Sequence, residues 1–178
     1  MAEVKFKIWR GNSKDGHYQE YSTKVGAGMV VLDAVRQIQA EQANDLAIRW
    51  NCKAGKCGSC SAEINGTPRL MCMTRLSTLS LNNPVTIQPM QAFPLIKDLV
   101  TDVSWNYRAK KRIKQFKPRP PDTKDGTWIM AQKDIDRIEE FRKCIECYLC
   151  QDVCHVLREH NLHDQFIGPR FLVHIAGL

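Results

Sequence analysis

No apolar run in these 178 residues approaches the ~20 that a bilayer-crossing helix needs. No basic n-region, apolar core and small-residue cleavage site opens the chain, and Ala2-Glu3-Val4-Lys5-Phe6 already alternates like a strand. Internal repeats and low-complexity tracts are absent as well. These absences predict an unexported chain without a membrane span of its own. It would sit in a reducing compartment, where clustered cysteine favours metal over disulfide.

Acidic residues are outnumbered, 19 against 26 basic, for a formal charge of +7. The excess concentrates in Arg108, Lys110, Lys111, Arg112, Lys114, Lys117 and Arg119. Two readings stand: a solvated helix face, or a docking surface for an acidic partner or anionic lipid. No nucleic-acid-binding module surrounds the stretch. Apolar content of 43% and charged content of 25% are ordinary for a globular protein. The length suits one large domain or two small ones.

The pattern divides at Pro94. Before it, Val4, Phe6 and Ile8 alternate with Lys5, Lys7 and Trp9, which predicts a strand over 4–10. Asn12 to Gly16 is turn chemistry, and Tyr18 to Val25 returns as the second strand of a hairpin. Val31, Ala34, Val35 and Ile38 recur at helical spacing, predicting a helix over 29–42 with one buried stripe. A second hairpin runs through Asn65-Gly66, the strongest short turn signal. Val85 to Gln88 is a last strand. After Pro94, Ile96, Leu99, Val100, Val103 and Tyr107 take helical spacing, predicting a helix to about Phe116. Pro118, Pro120 and Pro121 end it. A stripe of Ile135, Ile138 and Phe141 then leads directly into the final third, where Cys144, Cys147 and Cys150 are expected on a helical turn.

The eight cysteines form two groups. The first is Cys52-x4-Cys57-x2-Cys60, with Cys72 following the Asn-Gly hairpin. The second is Cys144-x2-Cys147-x2-Cys150-x3-Cys154. These are the spacings of a plant-type [2Fe–2S] centre and a bacterial-type [4Fe–4S] run. Such clusters require soft thiolate ligands converging from one short loop plus a distant segment. Gly55 and Gly58 relax the first loop and let N–H groups approach sulfur, which tunes potential. Zinc prefers paired Cys-x2–4-Cys knuckles, and the first group holds only one.

The stretch Cys52-Lys-Ala-Gly-Lys-Cys57-Gly-Ser-Cys60-Ser-Ala-Glu-Ile-Asn65-Gly66, with Leu70-Met71-Cys72, closely resembles the iron–sulfur subunit of succinate dehydrogenase and fumarate reductase. The resemblance continues through the Pro-rich connector to the second group. It implies an α+β chain: a β-grasp [2Fe–2S] ferredoxin domain over 1–93, a connecting helix and Pro-rich linker over 94–126, and the N-terminal part of a helical ferredoxin domain over 127–178. It also implies that Cys52, Cys57, Cys60 and Cys72 hold [2Fe–2S] and that Cys144, Cys147 and Cys150 hold [4Fe–4S]. Cys154 belongs to a third cluster, [3Fe–4S] or [4Fe–4S].

The expected partners are a FAD-containing succinate/fumarate subunit and a quinone-binding membrane anchor. Electrons would run between flavin and quinone through the clusters, in either direction. The chain would lie on the cytoplasmic face of a bacterial inner membrane through those partners, with no catalytic residue of its own.

Cysteine arithmetic leaves a deficit. The second group lacks a fourth ligand for its cubane, Cys154 stands alone, and no cysteine follows. Gly168-Pro169 reads as a helix start, and the stripe Phe171, Leu172, Ile175, Leu178 stops at the last residue. Both predict a longer subunit. His155 stands where such runs usually carry proline, and Val156 to His160 replaces the family's Trp-containing stretch. That departure weakens the case for a conventional quinone site. His155, His160 and His163 read as exposed histidines before they read as ligands. A soluble two-cluster redox adaptor and a zinc-stabilised interaction module remain the alternative readings.

Overall fold

Alternation builds the first hairpin. Strands β1 (Ala2–Gly11) and β2 (Gly16–Val25) pair antiparallel from Ala2↔Val25 to Gly11↔Gly16, in a computed structural model that describes residues 2–178. Val4, Phe6 and Ile8 all point into the core. Helix α1 (Val31–Glu41) follows, slightly shorter than expected. The Asp33 carboxylate accepts the Val30 N–H at 3.1 Å, an acidic group placed where a helix start favours it. Val31, Leu32, Ala34, Val35 and Ile38 are buried against the sheet. Each full aliphatic burial stabilises by about 1.5–3 kcal/mol, so this stripe anchors the helix.

Strands β3 (Ser61–Ile64) and β4 (Thr67–Leu70) form the second hairpin, and β5 (Val85–Gln88) completes the sheet. The order is β2-β1-β5-β3-β4. β5 runs parallel to β1 and antiparallel to β3. All four residues of β3 are buried, because the helical half of the chain covers the face that α1 leaves open. Glu63 is thereby enclosed, which alternation alone does not anticipate.

The expected helix from Ile96 to Phe116 is not formed as one unit. Leu95–Lys97 (β6) and Val100–Thr101 (β7) make a two-stranded sheet, and helix α2 covers only Ser104–Lys111. Asp98 is the reason. It sits in the turn at φ 49° and is buried. Its Oδ1 accepts the Gly11 N–H at 2.8 Å and Arg10 Nε at 3.2 Å, and its Oδ2 accepts the Ala47 N–H at 2.8 Å. A left-handed residue pinned three ways cannot belong to a helix. Ile96 and Tyr107, both counted in the helical spacing, are exposed.

Helix α3 (Gln132–Arg142) has the expected stripe but buries none of its residues fully. It packs against α6 (Pro169–Ala176), which starts with proline in its first turn as predicted. Between them lie two single-turn helices, α4 (Leu149–Asp152) and α5 (His155–Arg158). The second cysteine group is not a helical turn. Glu146 and Tyr148 take φ of 54° and 61°, so Cys144 and Cys147 lie in a loop. Only Cys150 is helical, in α4, and Cys154 sits at the start of α5.

Candidate functional site

The first cysteine loop leads directly into β3, and Cys72 follows β4, so the hairpin carries its thiol back towards Cys60. The Cys72 N–H donates to Cys60 Sγ at 3.5 Å. The N–H groups of Ala54 and Lys56 donate to Cys52 Sγ at 3.4 and 3.3 Å. The Ser59 hydroxyl lies 3.1 Å from Cys57 Sγ. That hydroxyl, aided by Cys52, pulls the Cys57 thiol down to about 6. Burial pushes Cys60 up to about 12, and the neighbouring Cys72 and Cys57 thiols add to the rise. Four thiols therefore sit within mutual influence. Bound cations reverse this penalty and deprotonate coordinating thiols outright.

This donor set fits an iron–sulfur cluster. It is all sulfur, it is uncrosslinked, and N–H groups already point at two of the sulfurs. Among the described residues, no three Cys, His, Asp or Glu side chains converge on a point that one ion could occupy. A two-iron cluster, held by two thiolates at each iron, needs no such triple.

In the second group, Cys150 is raised by burial and then by the charges of Cys147 and Cys144, so these three lie close together. The loop is held by Glu146. Its carboxylate accepts Lys110 Nζ of α2 and Arg170 of α6, each at 2.7 Å. Burial opposes its ionisation, yet these two cations keep Glu146 below the usual carboxylate range. Cys154 lies one turn beyond, its carbonyl accepting the Leu157 and Arg158 N–H groups at 3.1 and 2.8 Å. His163 contacts Trp105 edge-on at 4.7 Å and the Ala92 carbonyl at 3.0 Å. The His155 and His160 rings meet edge-on, their centroids 6.1 Å apart.

The two groups meet. Gly58, at φ 68°, approaches Cys147 so closely that a Cβ there would fall 2.6 Å from Cys147 Cα. The buried Ser61 hydroxyl lies 2.9 Å from the Gly58 carbonyl and 2.8 Å from the Cys147 carbonyl. Cys57, Ser59, Ser61, Glu146 and Cys147 line one cavity of about 480 Å³. Cysteine spacing located the thiols but not this junction, nor the roles of Ser61 and Glu146, nor the ion pair of enclosed Glu63 with Arg158 at 2.6 Å. The one available signal was a lone Glu between Ala62 and Ile64 in a short strand.

Residues 5–107 match the family described as the 2Fe-2S iron-sulfur cluster binding domain. The chain is 36% identical over 155 residues to the fumarate reductase iron-sulfur subunit of Mycobacterium tuberculosis, covering 85% of this chain and 61% of that one. It is 30% identical to the Escherichia coli fumarate reductase iron-sulfur subunit, over 95% of this chain and 69% of the relative. It superposes on a chain of the Mycobacterium smegmatis Sdh1 complex in the apo form with a TM-score of 0.92 and 52% identity. That match covers 98% of this chain and 73% of the other. Together with the four-thiol loop and the sheet that carries it, these matches place the chain in the family of iron–sulfur subunits of fumarate reductase and succinate dehydrogenase.

Proposed function

We propose that this chain is the electron-transfer subunit of a succinate:quinone oxidoreductase. Cys52, Cys57, Cys60 and Cys72 ligate a [2Fe–2S] cluster. Cys144, Cys147 and Cys150 ligate a [4Fe–4S] cluster, and Cys154 serves a third. Bound there, the clusters supply one-electron redox chemistry. The protein's own work is to fix their separation, exclude water and set the local field. Partner subunits carry the FAD-dependent succinate/fumarate site and the membrane quinone site. Through them the chain lies peripherally at the cytoplasmic face of a bacterial inner membrane.

The observation that carries this reading is the meeting of two cysteine groups, far apart in sequence, at the Gly58–Cys147 contact. Two sites for one-electron carriers in backbone contact suit a relay. They have no evident use in a zinc-stabilised interaction module. Iron and acid-labile sulfide analysis with EPR after reduction tests the reading. Stoichiometric sulfide and two reducible centres are expected, with flavin retained on a co-purifying partner. Zinc without labile sulfide would overturn it, and full redox loading with no stable partner would favour a free-standing adaptor.

A further inference from the structure

We propose that the Gly58–Cys147 contact, clasped by the Ser61 hydroxyl, is the electronic bridge between the two cysteine sites. This rests on the electron-relay reading above. Gly58 is bonded to Cys57, Ser61 is bonded to Cys60, and Cys147 is itself one of the second-group thiols. A path from one group to the other therefore follows covalent bonds except for a single non-bonded gap. At that gap the backbones touch, with space for no side chain on Gly58. Covalent and hydrogen-bonded contacts transmit electronic coupling better than empty space does.

The Ser61 proton closes the gap a second way. One hydroxyl lies within 2.9 Å of the Gly58 carbonyl and 2.8 Å of the Cys147 carbonyl, so its single proton is shared between the two acceptors and brings both peptides onto one oxygen. Ser61 is buried, at the wall of the cavity that Cys57 and Cys147 also line. Other ties to the second-group region run elsewhere: Glu63 pairs with Arg158, the Ala92 N–H donates to Asp152, and the Ala92 carbonyl meets His163. Neither Glu63 nor Ala92 is bonded to a first-group cysteine. With clusters bound, one electron would pass between the two sites in either direction, the donor centre oxidised and the acceptor reduced. No bond of the bridging residues is made or broken, and the Ser61 proton stays in place.

The test uses the cluster-loaded protein in its native complex, with Ser61→Ala, Ser61→Thr and Gly58→Ala. Three quantities are read: the reduction potential of each centre, the microwave-power saturation of the reduced [2Fe–2S] signal, and the rate of electron equilibration between centres after single-electron photoreduction. Ser61→Ala should leave both centres present with their potentials little changed and slow equilibration severalfold. Ser61→Thr keeps the hydroxyl and should restore the rate. Gly58→Ala must part the two backbones, and should both slow equilibration further and weaken relaxation of the [2Fe–2S] signal by its neighbour. Should Gly58→Ala fail to load its clusters, the Ala–Thr comparison at Ser61 decides alone. Wild-type equilibration in Ser61→Ala, with both centres loaded, would overturn the bridge. Absence of one of the two centres from the wild type would instead overturn the relay reading on which the bridge rests.

Discussion

The Glu63 carboxylate, sealed inside the protein, meets the Arg158 guanidinium at 2.6 Å. One partner lies in β3, three residues after Cys60, and the other in α5, four residues after Cys154. Gln88 Nε2 completes the site at 2.7 Å. Asp152 is buried beside the pair. Its carboxyl is pushed up to about 6 by burial, with Glu63 adding to the rise despite a bond from the Ala92 N–H. A single guanidinium thus serves two enclosed acids. Arg158→Met should cost about 3 kcal/mol, because removing one partner strands a buried charge. Adding Glu63→Gln should recover part of that loss, and a double-mutant cycle in denaturant measures the coupling. Strict additivity would show that the pair does not hold the halves together.

Asp98 ties three segments: the end of β1, the approach to the first cysteine loop, and the β6–β7 turn. Asp98→Ala leaves two part-buried N–H groups and Arg10 Nε without their acceptor and should cost about 3 kcal/mol. Asp98→Asn retains one acceptor and tolerates the left-handed backbone, so its loss should be smaller. Denaturant midpoints at constant slope give the comparison. Equal losses would mean that shape rather than hydrogen bonding matters at this turn.

Gly168 stands against Gln151, a fully buried residue next to Cys150. A Cβ at Gly168 would fall 2.0 Å from Gln151 Oε1, on a backbone at φ 83°. Gln151 cannot retreat easily, since its Nε2 donates to Asn106 Oδ1 and the Ile167 carbonyl, both at 3.2 Å. Gly168→Ala should destabilise by about 1–3 kcal/mol through overpacking. It should also lower cluster occupancy in the second cysteine group while sparing the first. Separate EPR quantification of the two centres reads this out, and equal loss at both would defeat the prediction.

Cys57→Ser removes one thiolate from the first group only. The [2Fe–2S] signal should be altered or lost while the second-group signal persists. Parallel loss of both would contradict two independently ligated centres.

Removing iron should affect the two parts of the chain unequally. The core of Val4, Phe6, Ile8, Val35, Ile38 and Ile87 is mainly aliphatic and takes in Cys60 and Cys72 among its members, so the sheet and α1 should keep most of their amide protection. The second-group region has only short helices and few buried apolar side chains, Tyr148 and Leu157 among them. There, metal binding and folding are coupled, and hydrogen exchange should rise sharply around Cys144 to Cys154 on chelation.

Local pattern was informative wherever one period dominated. The first hairpin, the α1 stripe, the Asn65-Gly66 turn and the proline at the start of α6 were all legible. The stretch 95–111 was not, because a five-residue coincidence with helical spacing concealed a turn residue, Asp98. That residue is held by Gly11 and Ala47, which no local window contains. The cysteine loop of the second group was misread as helix for a related reason. Glu146 and Tyr148 are ordinary helix-compatible residues, and only Lys110 and Arg170, from distant elements, hold Glu146 where it is.

By itself the sequence determined the chemistry: which eight side chains are thiols, how they group, and which family uses that spacing. Thiolate spacing is a covalent property, and covalent distance along a loop limits what the loop can hold. Tertiary structure alone decided how the groups relate. The Gly58–Cys147 contact, the shared Ser61 hydroxyl and the enclosed Glu63–Arg158 pair arise where β3 packs under the helical half. Such proximity depends on which faces are buried together, and that is a property of the whole chain.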